Sequence, residues 1–286
     1  MGYYSNICAG VVTYNPEISQ LKANLDSLTP QVSVVYVVDN GSSNIEKIKS
    51  ILRKYDNVKL FCNMKNLGIS KALNQLCEMA MRDGYMWILT MDQDSLCMPK
   101  MVDALSRFVD NSIGIIAPRV EFWTKGIMIL ATKDGDKLTT EVPACITSGS
   151  LTNLIAWNHV GGFDEWLFID HVDNDFCIRL KIAGYKIIRV HKGVLYQRAG
   201  EMDYFSLPFG RKILLPHYSA IRQYYSCRNT IYYLRKYKDR IHFIHELGVF
   251  IYSIIIKLLF EEERYLTLSS TLKGVFAGFQ KEISHH

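Results

Sequence analysis

An α/β fold is what this sequence predicts: a mostly parallel sheet flanked by helices, with a helical region appended at the C-terminus. Three observations carry that expectation. Short β-branched or apolar runs alternate with segments whose apolar residues recur at helical spacing, from Ile7 to about Val190. One run, Val32 to Val38, is almost unbroken, the pattern of a strand covered on both faces. Beyond Gly210 the alternation stops, and aromatic and basic residues interleave in long helical patterns. The division is therefore drawn as an α/β domain over 1–210 and a helical region over 211–286.

Taken in order, Ile7 to Tyr14 reads as a strand closed by the turn residues Asn15-Pro16. Ile18, Leu21, Leu25 and Leu28 mark one face of a helix. The strand Val32 to Val38 stops at Asp39-Asn40-Gly41-Ser42. Ile45 to Tyr55 reads as a helix, Val58 to Cys62 as a strand, Ile69 to Met81 as a helix and Tyr85 to Met91 as a strand. A helix over Pro99 to Val109 and a strand over Ile113 to Pro118 follow. Residues 122–142 look irregular, with a hairpin suggested around Asp134-Gly135-Asp136. Ile146 to Leu154 reads as a strand, a helix starts near Asp173 and is stopped by Gly184, and Lys186 to Val190 is a strand.

Composition narrows the function. With 49% hydrophobic and 21% charged residues over 286 positions, the chain can bury a real core. A net charge of +5 is too small to make nucleic acid the main partner, and no nucleic-acid motif is present. The surplus suits an anionic small molecule or an anionic membrane face. Seven scattered cysteines without a CxxC pair argue against a disulfide framework and against a zinc site, and fit a reducing cytosol. The N-terminal residues lack a basic segment leading into a long apolar run, so no signal peptide is expected.

Ligands of an open parallel sheet gather beyond the carboxyl ends of its strands. Three polar clusters fall there: Thr13-Tyr14-Asn15, Asp39-Asn40-Gly41-Ser42 and Asp92-Gln93-Asp94-Ser95. Each alone could be turn chemistry; three in one chain point to a shared site. Asp92 and Asp94, one residue apart with no local cation, repel unless something positive arrives. Their oxygens suit Mg²⁺ or Mn²⁺ that also grips a diphosphate, although a solvated turn or a helix cap ahead of Pro99 uses the same residues. Lys71 is a cation placed to meet a diphosphate, or a solvated helix lysine.

The segments "VVTYNP", "VVDNGS", "NLGISKALN", "TMDQDS" and "GGFDEWLFIDHVDNDFCIRLKIAGY" occur in an order that resembles the inverting family 2 of nucleotide-sugar glycosyltransferases, with a GT-A fold. The wording of "DQDS" and "FIDHVD" is similar to bacterial rhamnosyltransferase-like members. The resemblance runs from Ile7 to Arg198. It implies that Thr13, Tyr14 and Asn15 line the nucleotide pocket and that Asp39 reads the pyrimidine. It also implies that Asn66, Gly68 and Lys71 contact base, ribose or phosphates, that Asp92 sits near ribose and metal, and that Asp94 ligates the metal. His191 matches a further metal ligand. The usual acidic pair of the family is interrupted by Val172; Asp173 matches the base, with Asp170 as an alternative, and Asp175 and Arg179 match the positions that follow. Ser148, Gly149 and Ser150 match a segment facing the acceptor, and Trp166 could stack on a sugar or belong to the core.

What the resemblance implies is an inverting transfer. A cation assists departure of the nucleoside diphosphate, while the base takes a proton from an acceptor hydroxyl. The leading donor is dTDP-rhamnose, with a UDP-hexose as the alternative. The acceptor would be a glycan or lipid-linked oligosaccharide in surface polysaccharide synthesis. Two other classes stay open: a non-catalytic nucleotide-sugar-binding or scaffold member, and a sugar-phosphate nucleotidyltransferase, whose glycine-rich loop is replaced here by "TYNPEIS".

The tail, Tyr218 to Arg240, mixes tyrosines with Arg222, Arg228, Arg235, Lys236, Lys238 and Arg240. Ile244 to Phe260 places Leu247, Ile251, Ile255 and Leu258 on one helical face. The stretch is shorter than the ~20 residues that cross a bilayer and is interrupted by Lys257. It suits an interfacial helix at the inner face of the cell membrane, or contacts within the protein or with a second copy.

Overall fold

The structure is a computed structural model that describes residues 7–124, 127–131, 137–198, 202–206, 212–216, 218–261 and 263–283. The chain forms two compact units. One runs to Phe168 and takes up Val172–Arg198; the other comprises Ile169–His171 and the chain from Ala199 onward. The suggested hairpin at 134–136 and the expected change of character at 210/211 both fall outside the described residues.

The first unit is built on one sheet. Strand β1 (Ile7–Thr13) pairs in parallel with β2 (Val35–Asp39) and with β4 (Trp87–Asp92), and β2 pairs in parallel with β3 (Val58–Cys62). Every residue of β1 and β2 is buried, because helices cover both faces of a parallel sheet. The covering helices are α1 (Ile18–Leu28), α2 (Ile45–Leu52) and α3 (Ile69–Arg82). Leu21, Leu25 and Leu28 of α1 enter the core at helical spacing, as do Ala72, Leu73 and Leu76 of α3.

Past β4 the sheet becomes mixed. The order is β3-β2-β1-β4-β9-β6-β10-β5, where β5 is Leu96–Cys97, β6 Ile113–Thr124, β9 Ser150–Asn153 and β10 Lys186–Arg198. Strand β9 runs antiparallel to both β4 and β6, while β6 and β10 are parallel. Two short strands, β7 (Ile127–Ala131) and β8 (Thr139–Glu141), pair off this path with β6 and β10. Helices α4 (Met101–Ser106), α5 (Leu154–His159) and α6 (Val172–Ile182) complete the unit.

Strand β10 is much longer than the run Lys186 to Val190 suggests. It carries an irregularity between Val190 and Val194, after which it rejoins β6 and continues to Arg198. That bulge hides the strand from pattern reading, since Lys192 and Gly193 interrupt the alternation.

The second unit holds a hairpin, β11 (Met202–Ser206) with β12 (Lys212–Pro216), and three helices: α7 (Ala220–Lys236), α8 (Phe243–Phe260) and α9 (Arg264–Gln280). Helices α7 and α9 approach closely. A Cβ on Gly278 would lie 2.5 Å from the Arg228 carbonyl oxygen and 2.8 Å from Ile231 Cβ. Arg235 closes α9 by donating to the Gly278, Phe279 and Lys281 carbonyls at 2.8, 2.8 and 3.0 Å.

Candidate active site

The ends of β1 and β2 are tied together by buried polar groups. Thr13 Oγ1 donates to Asp39 Oδ1 at 3.0 Å, and the Ser42 amide donates to Asp39 Oδ2 at 2.9 Å. Thr13 and Asp39 are both buried. Asn40 donates to Asn66 Oδ1 and to the Gly68 carbonyl, while its own oxygen accepts from the Leu67 amide and from Asn63. Asn15 takes a left-handed conformation and accepts from the amide and hydroxyl of Ser43. Tyr14 is left exposed above this floor.

Gly68 precedes α3 with φ +88°, and a Cβ there would lie 2.7 Å from the Phe168 ring. Only glycine fits that conformation and that approach. Phe168 reaches over because its carbonyl accepts from the Ile69 amide at 2.8 Å. Helix α3 also holds the neighbouring loop: Ser70 donates to the Leu167 carbonyl, and Asn74 binds the Phe163 carbonyl and Glu165. Lys71 donates to Glu165 at 2.9 Å, so its charge has a partner within the protein. Trp166 sits on this loop, partly exposed.

Asp92 ends β4, and its loop is held from three sides. Asn24 of α1, fully buried, donates to the carbonyls of Asp92 and Ser95 at 2.9 and 2.7 Å. Gln93 clasps the backbone of Tyr14, accepting from its amide at 2.8 Å and donating to its carbonyl at 3.3 Å. Gln197 of β10 donates to Asp92 Oδ2 at 2.9 Å and accepts from Ser95 Oγ at 2.6 Å. Asn24, Gln93 and Gln197 support the site yet carry no local sequence signal, because each acts across the fold.

The electrostatics follow from this geometry. Burial pushes the Asp92 carboxyl up to about 6, Asp94 and Asp173 add to the rise through their charge, and the Gln197 hydrogen bond opposes it. Burial also raises Asp94, against the pull of the nearby Arg198. Asp173 stands in the first turn of α6, partly exposed, and accepts from the Asn174 amide at 2.9 Å. Three carboxylates therefore share one end of the sheet.

A divalent cation fits this donor set. Two hard carboxylates, one pushed up by burial and by its acidic neighbours, are what a Mg²⁺ or Mn²⁺ site supplies when phosphate oxygens and water complete the shell. Among the described residues no group of three His, Cys, Asp or Glu gathers as a metal cage.

The other expected site residues are placed as follows. His191 rides on the β10 bulge, where its Nε2 meets Thr140 Oγ1 at 2.9 Å; the β10 side chain brought to Asp92 is Gln197. Asp170 belongs to the other compact unit and pairs with Arg222 at 3.3 Å. Ser148 and Ser150 are buried and spend their hydroxyls inside the protein. Ser148 Oγ accepts from the Asp92 amide at 3.1 Å and meets Ser95 Oγ at 3.0 Å, while Ser150 donates to the Ile146 carbonyl at 2.6 Å. Gly149, at φ +74°, lets that bend pass under Leu195, whose side chain would lie 2.9 Å from a Cβ. These three residues shape the turn that leads into β9 and hold the end of β4. Asp175 and Arg179 form a buried pair at 2.8 Å, and Arg179 also donates to the Val160 carbonyl at 2.7 Å. Val172, where the family places an acid, is 5% exposed, so that position packs and cannot present a carboxylate.

Comparison with known proteins bears on this site. Residues 8–137 match the model of glycosyl transferase family 2. The chain is 30% identical to the dTDP-rhamnosyl transferase RfbF of Shigella flexneri, over 81% of each chain. It is 28% identical to an N-acetylglucosaminyl-diphospho-decaprenol L-rhamnosyltransferase of Mycobacterium tuberculosis, over 66% of this chain and 75% of that protein. Among solved structures, GalNAc-T7 with UDP, GalNAc and Mn²⁺ aligns with a TM-score of 0.65 at 12% identity, over 96% of this chain and 56% of that one. S. aureus TarS 1–349 aligns at 0.55 and 14% identity, over 96% and 81%. At those identities the two structures speak to the GT-A-like fold alone.

Proposed function

This chain belongs to glycosyl transferase family 2, and from that premise we propose that it transfers rhamnose from dTDP-rhamnose to a glycan or lipid-linked acceptor in surface polysaccharide synthesis, with inversion. The observation that carries the reading is the meeting of Asp92, Asp94 and Asp173 at one end of the sheet, beside a floor built from Thr13, Asp39 and Asn40. The named relatives support rhamnose as the sugar and a diphospho-lipid as the acceptor's carrier.

Each residue has a task in this scheme. Asp39, with Thr13 and Ser42 fixing its carboxylate, would meet the nucleobase, with the backbone around Tyr14 and Asn15 as its frame. Asn66 and Gly68 set the start of α3, where backbone amides can meet ribose or phosphate. Asp92 and Asp94 would hold Mg²⁺ or Mn²⁺, which when bound supplies charge neutralisation for the departing diphosphate. Asp173 accepts the proton of the attacking hydroxyl. The acceptor oxygen bonds to the anomeric carbon as the bond to the diphosphate breaks, and its proton ends on Asp173. Trp166 flanks the acceptor side.

The reading extends to peripheral membrane contact through α8 and α9. Helix α8 is 18 residues, about 27 Å at 1.5 Å per residue, and its composition alone would allow it to cross a bilayer. Yet Lys257 is buried in it, donating to Gln223 at 2.8 Å, with its ammonium 3.5 Å from the Tyr218 ring centroid. One side of α8 is thus committed to its own unit, which favours lying on a membrane over spanning it. Leu266, Leu268, Leu272, Phe276 and Phe279 of α9 are exposed, and Arg264, Lys273, Lys238 and Arg240 supply charge for anionic lipid.

A thermal-shift comparison of nucleotide sugars, with and without Mn²⁺, tests the donor. Stabilisation by dTDP-rhamnose that needs the cation is the expected result, since a ligand of the native state raises the melting point. A flat panel would overturn the reading.

A further inference from the structure

Beyond Asp94, on the side of β4 away from the Asp39 floor, the surface opens into a groove of about 480 Å³. Its walls include Gln20 of α1, Asp94, Leu96, Trp123 of β6, and Tyr196 and Arg198 of β10. The volume lies within the roughly 300–1,000 Å³ usual for small-molecule sites. The sheet sets the composition of this wall. Arg198 stands opposite Trp123 in the register of β6 and β10, and Tyr196, two residues back, points to the same face. A register shift between Phe122 and Trp123, where β6 meets β7, re-aims the indole locally.

Two polar groups of the wall make no hydrogen bond among the described residues, while Gln20 and Gln197 are committed to Glu17 and to Asp92 with Ser95. The Trp123 indole N–H is itself buried, without an acceptor among the described residues, so the ring offers the groove its apolar surface. Neither the Tyr196 hydroxyl nor the Arg198 guanidinium makes a hydrogen bond or ion pair among those residues, although Arg198 lies close enough to Asp94 to lower its pKa. The two aromatic rings are 5.6 Å apart and tilted by 50°. An angled pair of aromatic faces beside a free guanidinium suits a pyranose ring carrying negative charge: the faces take the C–H side of the sugar, and the guanidinium takes the anion in paired hydrogen bonds.

We propose that this groove is an acceptor subsite, in which Trp123 and Tyr196 hold a sugar ring and Arg198 holds the anionic group attached to it. The inference rests on the glycosyltransferase reading and adds to it the residues that choose the acceptor. Two features assign the groove to the acceptor instead of the donor sugar. It lies across Asp94 from the nucleotide floor. Two of its lining residues, Ala23 and Leu96, also line a larger depression of about 1150 Å³ walled by α1 and the start of α4. A donor ends after one ring, whereas an acceptor chain runs on.

Calorimetric titration of the full chain, with dTDP and Mn²⁺ present, tests this with two probes: undecyl diphospho-N-acetylglucosamine and the uncharged octyl N-acetylglucosaminide. Wild-type protein is expected to bind the first more tightly. Trp123→Leu should weaken both by at least about tenfold. The exposed Arg198→Gln, which leaves the core untouched, should weaken only the charged probe. Stabilisation by dTDP-rhamnose should persist in both variants. Failure of wild-type protein to bind the charged probe, or equal binding by the variants, overturns the subsite. Loss of the dTDP-rhamnose shift in Trp123→Leu overturns it differently, by giving the groove to the donor. Absence of that shift in wild-type protein refutes the donor reading instead, and the glycolipid titration still decides the groove.

Discussion

Helices α3 and α9 are both two-faced, with the faces reversed. Helix α3 buries Ala72, Leu73, Leu76 and Ala80 and turns Glu78 to water. Helix α9 buries Thr267, Ser270, Thr271, Gly274 and Gly278 and presents Leu272, Phe276 and Phe279 outward. The first pattern is driven by removing apolar area from water. The second relies on close backbone approach and small polar contacts, the packing used where the surroundings are themselves apolar. The comparison teaches that the two units use the same helical geometry with opposite patterns, apolar side chains turned inward in one and outward in the other.

The largest expected effect belongs to the first unit. Asp173→Asn should lower turnover by about 10²- to 10⁴-fold while the dTDP-rhamnose thermal shift survives, as a lost general base requires. Retained turnover would move the base elsewhere. Next comes the buried pair of α6. Asp175→Ala leaves Arg179 without its partner and should cost about 3–5 kcal/mol in denaturant unfolding, whereas an exposed pair such as Lys49 with Glu46 should cost under about 1 kcal/mol.

The second unit yields the complementary tests. Replacing Leu272 and Phe276 together by Glu should cut binding to anionic vesicles by about a hundredfold or more, since each apolar side chain moved out of water contributes about 1.5–3 kcal/mol. Melting temperature should change little, because both side chains are mostly exposed. Gly278→Leu should do the reverse, disturbing α7 against α9 and costing about 1–3 kcal/mol. The smallest effect concerns Lys257, whose ammonium is held below the usual lysine value chiefly by burial. Between that lowered value and 10.5 the unfolded chain binds more protons than the folded one, so stability rises with pH across the window. Lys257→Met should flatten that alkaline rise in melting temperature.

Much of the first unit was legible because its signals are local. Helix α1 and strand β3 fall on the residues their patterns mark, Ile18–Leu28 and Val58–Cys62. Strand β9 was not: Ile146 to Leu154 reads as one apolar run, but the bend at Gly149 leaves only Ser150–Asn153 to pair, and α5 begins at Leu154. Helix α9 escaped notice because its apolar residues face outward, so they do not mark a buried stripe. In the site, the acids announce themselves by spacing. Their supports do not, since Gln197 lies 105 residues from Asp92 and Asn24 lies 68 from it. The internal partners of Ser148 and Ser150 are hidden for a related reason: a hydroxyl's partner cannot be read from its neighbours.

The irregular stretch between Val190 and Val194 has an arithmetic consequence. Side chains on a strand alternate, so the parity of the residue count decides which of Tyr196, Gln197 and Arg198 looks inward. Deleting any one of His191, Lys192 or Gly193 would shift the frame by half a repeat, trading a neutral amide beside Asp92 for the arginine of Arg198. Deleting two would return the inward face to the same parity but carry Gln197 away from Asp92. Either change should therefore remove the Gln197 hydrogen bond, and only the odd one should bring a charge in its place.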